Sequence, residues 1–385
     1  MRQGRLAAAA ALAVLLLAGA QRAAAQSGEP QVPWKDSFYP YFPSLANDFP
    51  LLMIHYEQRK ANADYFARTA YAGLFSFDFG ASTRGSRQAL ATFHAPLLWK
   101  QYRLNARAGA IRASRFGYFG IGNDTEYDGD LVKNSQPFVY RAKRTRYLGE
   151  VEVSRAVAKR TFVALSGGVE HSVLSDLPRP STFRTDFGSS DVEDTDVRGR
   201  ATLVFDARDN EYNTHNGVFA QTSLTVGSGG DNYTRVTGDL RGYVSVREGT
   251  VVAARVAGSA MSRKAPLNAR FEMPTWEGEI SVLGGANSHR GVDFQRFAGR
   301  SVLFGNFEVR HDLLNLGDLG AFTLIGFLDA GRVFEAEDFE LTTKDLTVGG
   351  GAGLAMRVMR FPIWVFNFGT GPDGFQFSAG TGWAF

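Results

Sequence analysis

Side chains able to do acid–base, nucleophilic or metal chemistry are scattered through this sequence and never grouped as such chemistry requires. The six histidines stand at 55, 94, 171, 215, 289 and 311, with no HExxH pair and no other zinc spacing. There is no cysteine, which removes disulfides, thiolate metal sites and cysteine nucleophiles together. No Gly-x-Ser-x-Gly elbow appears. Gly349-Gly350-Gly351-Ala352-Gly353 leads into no helix, so it suits a bending strand better than a phosphate cradle. No catalytic residue, cofactor or metal is therefore expected. The acidic group Asp191, Glu193, Asp194 and Asp196 lacks the ligand spacing of a calcium loop and reads as a solvated external loop. Arg141, Lys143, Arg144 and Arg146 can meet phosphates outside the chain or line a polar interior, and the sequence leaves both open. Asp206, Arg208 and Asp209, just ahead of Asn216-Gly217, suit a tight turn with Asx caps.

The elements available to position these residues are strands. Alternation recurs nearly end to end, as in 217–227, where Val218, Ala220, Leu224 and Val226 oppose Gln221, Ser223 and Thr225. Period two means a sheet with one apolar and one polar face. Residues 1–25 hold Arg2, Arg5 and Arg22, an apolar run from Leu6 to Ala20 and the small-residue site Ala23-Ala24-Ala25. They read as a cleaved secretory signal peptide. Without those arginines the other 39 basic residues match 39 acidic ones, so the basic pI implies no nucleic-acid partner. After residue 26 no stretch approaches the ~20 apolar residues of a membrane-spanning helix. An exported chain of alternating ~10-residue segments with aromatics at strand ends fits an all-β transmembrane antiparallel barrel in the bacterial outer membrane, apolar face to lipid.

Strands are expected at 51–60, 65–80, 87–98, 102–115, 138–157, 161–173, 197–208, 217–227, 232–246, 250–262, 300–312, 320–334, 346–358, 363–370 and 375–385. Such barrels have even strand numbers, so a sixteenth is placed at 37–47. Short connections alternate with the long ones 116–137, 174–196 and 263–299, which fall outside the cell. Residues 26–50 read as a periplasmic lead containing that first strand, and 51–385 as one barrel domain.

Gly284-Gly285-Ala286-Asn287-Ser288-His289-Arg290-Gly291-Val292, with Arg296-Phe297-Ala298-Gly299, resembles the sixth-loop signature of the BamA/TamA superfamily of outer-membrane barrels, the bacterial surface antigen type. Asp206-Ala207-Arg208-Asp209-Asn210, Phe327-Leu328-Asp329-Ala330-Gly331-Arg332-Val333-Phe334, Gly371-Pro372-Asp373-Gly374 and Gly117–Asp124 resemble further segments of it, in order, across about 50–385. The resemblance implies a long loop folded into the lumen with Arg290-Gly291 at its tip. Such an arginine needs carboxylate partners. Strand parity turns Glu308 and Asp329 inward, and they correspond to the acids that hold the loop in the resembled family. A loop lock of Arg290, Gly291, Glu308 and Asp329 is therefore expected.

The resemblance also implies insertion of barrel proteins into the outer membrane, or polypeptide translocation, through a weak seam between first and last strands. Phe375, Phe377, Trp383 and Phe385 are expected on the lipid face of the last strand, with Gly380 and Gly382 weakening it. Well-studied members carry periplasmic POTRA domains, which 26–50 is too short to hold, so a periplasmic partner protein is expected to capture unfolded barrel clients. The lipid bilayer and lipopolysaccharide are the other partners implied. A small-solute pore without insertase activity is the alternative, and an outer-membrane hydrolase is unsupported.

Overall fold

A computed structural model describes residues 33–41, 51–62, 69, 71–99, 101–335, 344–358 and 361–385. The expected signal peptide, 1–25, lies outside these residues. The barrel wall is one antiparallel sheet of sixteen strands in sequence order. Its first half comprises β1 (Trp34–Tyr41), β2 (Leu51–Ala61), β3 (Tyr71–Ser82), β4 (Arg87–Trp99), β5 (Tyr102–Gly117), β6 (Arg141–Ala158), β7 (Thr161–Ser175) and β8 (Val192–Asp206). It continues through β9 (Gly217–Gly229), β10 (Asp231–Arg247) and β11 (Thr250–Met261). A separate hairpin, β12 (Glu272–Thr275) and β13 (Gly278–Ser281), interrupts the sequence. The wall then closes its count with β14 (Ser301–Asn315), β15 (Gly320–Phe334), β16 (Thr347–Val358), β17 (Phe361–Gly371) and β18 (Gly374–Gly380).

Burial along the strands is inverted relative to a soluble sheet. On β9, Leu224 and Val226 are 51% and 55% exposed, whereas Gln221, Ser223 and Thr225 are 6% exposed or less. The apolar face looks outward and the polar face inward, which only a hydrocarbon surround makes favourable. Long loops crowd one end of the barrel. There Phe116, Tyr118, Phe183 and Phe271 form a buried aromatic cap with helix α1 (Gly129–Asn134) and helix α2 (Thr182–Phe187) nearby in the loops. Tyr118 donates its hydroxyl to Asp186 (2.7 Å).

Several boundaries move. The first strand is Trp34–Tyr41 rather than 37–47, of which 42–47 lie outside the described residues. β8 begins at Val192, so Glu193, Asp194 and Asp196 belong to a strand and not to a solvated loop. The ladder to β7 runs on through Val192↔Leu174, and Asp196 turns inward to accept the Tyr233 hydroxyl (2.7 Å). The last strand stops at Gly380, and the chain turns at Gly382, whose φ is +90°.

Candidate functional site

The lumen is filled by the connection between β11 and β14. Its hairpin β12–β13 carries three glutamates that meet arginines projecting from the far wall. Glu279 reaches Arg107 on β5 (2.7 Å), Arg146 on β6 (3.0 Å) and Arg198 on β8 (3.3 Å). Glu272 pairs with Arg144 on β6. At the turn, Glu277 takes Arg208 (2.7 Å) and Arg241 on β10 (2.6 Å). Trp276 stacks between Phe162 and Phe219, at 5.6 and 6.3 Å between ring centres, and donates its main-chain N–H to Gln221 (2.8 Å). Phe162 and Phe219 lie near the short-turn ends of β7 and β9, so the hairpin runs the depth of the barrel.

These contacts follow from strand parity and charge balance. Alternate residues of β5, β6, β8 and β10 point arginines inward in excess of the carboxylates beside them. A guanidinium in a narrow lumen needs an anion with matched geometry, and the hairpin supplies it. The pairing Glu279–Arg146 spans 133 residues of sequence, so no local spacing announces Glu272, Glu277 or Glu279. The arginine excess on inward positions was the available signal.

The returning arm of the same loop docks on the near wall. Arg290 donates to Asp329 of β15 from its main-chain N–H (2.8 Å), Nε (2.9 Å) and Nη2 (2.7 Å), and from Nη1 to Glu308 of β14. Its guanidinium lies 3.8 Å from the centre of the Phe327 ring. Asn306 braces the site, donating to Asp329 (2.8 Å) and to the Ser288 carbonyl (2.7 Å). All three charged groups are essentially sealed from water. The structure thus brings Arg290, Gly291, Glu308 and Asp329 together. Glycine makes the docking possible: a Cβ on Gly291 would sit 2.7 Å from the Thr370 carbonyl oxygen and 2.8 Å from Gly349 Cα. Gly349 therefore provides clearance for the loop, where the sequence suggested only a bendable strand.

Beyond Gly380 the chain leaves the wall and enters the lumen, which corrects the expected lipid-facing positions of Trp383 and Phe385. Phe375 and Phe377 stay on the outward face, 69% and 56% exposed, while Phe385 is buried. Arg310 holds the tail: it pairs with Glu308 (2.7 Å), donates to the Phe385 main-chain oxygen (3.1 Å) and stacks 4.5 Å from Trp383. Trp383 donates to Asn213 (3.3 Å), and Phe385 packs against Tyr243. Cation–π attraction and a hydrogen bond inside the lumen outweigh lipid contact for two rings. A cavity of about 590 Å³ remains between the hairpin turn, the tail and the inner face of β4.

The basic run is divided by parity. Arg144 and Arg146 serve the lumen, Arg141 pairs with Asp293 of the loop (2.8 Å), and Lys143 stays on the outward face. Asp206 and Arg208 pair (3.0 Å) at the short turn as local ions, yet Arg208 also anchors the hairpin; Asp209 accepts three main-chain N–H groups of that turn. Among the described residues no group of three His, Asp or Glu is arranged to hold a metal ion.

Residues 73–383 match the Omp85 superfamily domain. The chain belongs to the Omp85 superfamily. Its fold is similar to BamA from Haemophilus ducreyi lacking POTRA domains 1–3, at a TM-score of 0.56 and 13% identity over 91% of this chain and 70% of that one. It is also similar to CdiB from Escherichia coli, at a TM-score of 0.53 and 12% identity over 94% of this chain and 68% of that one. No curated protein matches the sequence. An Omp85 barrel of sixteen strands with an apolar outer face is an outer-membrane protein, and the family supports a role in assembly or translocation there.

Proposed function

We propose that this Omp85 barrel assists insertion of outer-membrane proteins or translocation of polypeptides, acting at the seam between β1 and β18. The observation that carries this reading is a lumen occupied from both walls by one loop, beside a sheet whose edge strands are its shortest. β1 has 8 residues and β18 has 7, against 11 to 18 in every other wall strand. A plugged lumen argues against steady solute flow, a seam between two short strands has little pairing to break, and the main-chain groups of an opened edge can pair with an incoming strand. Client capture is assigned to a separate periplasmic partner protein, and delivery to the membrane to a signal peptide at 1–25.

The test uses purified protein in liposomes, with a small unfolded barrel added and its folding timed. Acceleration over empty liposomes that is lost in Arg290→Ala supports an insertase whose loop lock is a working part. No acceleration, together with a steady wild-type conductance, would replace this reading with a solute pore.

A further inference from the structure

We propose that the outward face of β4, β5 and β6 carries a binding site for the phosphates of a bis-phosphorylated glycolipid in the outer leaflet. Arg87, the first residue of β4, stands directly opposite Arg112 of β5 in the ladder. Both are exposed, and so is Arg84 on the turn just above them. Arg112 also faces Thr145 of β6, and Lys143 lies two positions beyond Thr145 on the same face. Among the described residues no carboxylate pairs with any of these four cations.

The register places them outside the barrel. Their inward neighbours Arg107 and His94 meet Glu150 and Asn105 within the lumen. Unbroken pairing from Arg87↔Arg112 to Ala95↔Leu104 puts the two arginines on the opposite face. Height along the wall fixes the environment. Tyr102, exposed on that outward face at the short-turn end of β5, sits ten residues below Arg112. At ~3.3 Å per residue and a strand tilt of ~40°, that is ~25 Å along the membrane normal, the height of the apolar band. Arg112 and Arg87 thus emerge at the headgroup level of the leaflet on the long-loop side.

Like charges directly opposite in a ladder destabilise it, and among the described residues no carboxylate neutralises this pair. A phosphate ester does, because the planar guanidinium binds phosphate oxygens through two parallel hydrogen bonds. Directly opposed across the ladder, Arg87 and Arg112 converge on one phosphate, and Lys143, one strand further and two positions along, is set to take the second phosphate of a disaccharide headgroup. A membrane anion spread over single-phosphate lipids would gain less from this spacing.

The full-length protein in neutral detergent is titrated with fluorescent bis-phosphorylated lipid A, next to an Arg87→Gln/Arg112→Gln double variant. Enzymatically dephosphorylated lipid A, phosphatidylglycerol and inorganic phosphate serve as competitors. The expected result is at least a tenfold loss of affinity in the variant. Removing the phosphates from the lipid should weaken wild-type binding at least as much and cost the variant, which keeps only Arg84 and Lys143, clearly less. Equal affinity of variant and wild type would overturn the site. Equally good competition by phosphatidylglycerol or inorganic phosphate would overturn the glycolipid assignment. Without lipid, Arg112→Gln should melt no earlier than wild type, since it relieves repulsion; an earlier melt would make Arg112 a structural residue and sink the proposal.

Discussion

Glu279→Gln removes one negative charge from the middle of the hairpin and leaves Arg107, Arg146 and Arg198 converging on a neutral amide. Breaking a buried pair by deleting one partner costs ~3–5 kcal/mol. The three arginine side chains keep 25%, 12% and 18% of their exposure, so the lumen is partly wet and the lower end, ~3 kcal/mol, applies. With a denaturant slope of ~3 kcal/mol per molar urea, the unfolding midpoint should fall by on the order of 1 M. The assay is urea unfolding in detergent micelles, read by the loss of heat-modifiable mobility on gels. Glu193→Gln is the matched control, since that side chain is 64% exposed on the outward face, and its midpoint should not move. An unchanged midpoint for Glu279→Gln would refute the claim that hairpin carboxylates neutralise the wall.

Other perturbations separate the remaining contacts. Gly291→Ala places a methyl against the Thr370 carbonyl and Gly349, and should cost ~1–3 kcal/mol as overpacking does; Gly326→Ala, where a Cβ meets open space, should be close to neutral in the same urea series. Arg310→Gln removes the guanidinium beneath Trp383 and should release the tail, shifting Trp383 emission to longer wavelength relative to a Trp383→Phe blank; unshifted emission would show that the tail holds itself. Burial and the Asp186 carboxylate hold the Tyr118 phenol well above its ordinary value. Its contribution to the loop cap is therefore full below pH ~10 and lost as the pH rises further, because only the unfolded form then releases the proton readily. Proteolysis of 118–140 should accelerate above that pH in wild type, and the extra acceleration should vanish in Tyr118→Phe.

The wall was readable in the sequence because a membrane strand writes its two faces into alternate residues. The parity of Val151, Val153 and Val157 on β6 even decides that Arg144 and Arg146 turn inward, an inference the basic run left open. Trp383 and Phe385 show where parity misleads. They remain in phase with Phe375 and Phe377, so the run reads as one strand to the end, and only the left-handed backbone at Gly382 diverts it. The Arg290 lock was legible because Glu308 and Asp329 follow within forty residues on adjacent strands with fixed parity. Glu272 and Glu279 were not, because their partners lie on strands far earlier in the chain and become neighbours only when the wall curls round; Glu277 was not, although Arg241 is 36 residues away, because it sits on a hairpin turn where no wall-strand parity aims it.

The cavity beside β4 gives the barrel unequal stiffness. From β5 round to β10, arginines clamp the wall to the hairpin, and from β14 to β17 the wall is pressed against the loop tip. One loop therefore ties two arcs of the cylinder together like a strut. The inner face of β4 meets about 590 Å³ of open space instead, and β4 is only three strands from the edge at β1. Strain applied at the seam should be taken up there, in the few strands that flex without breaking an ion pair to the strut, while the rest of the wall keeps its shape.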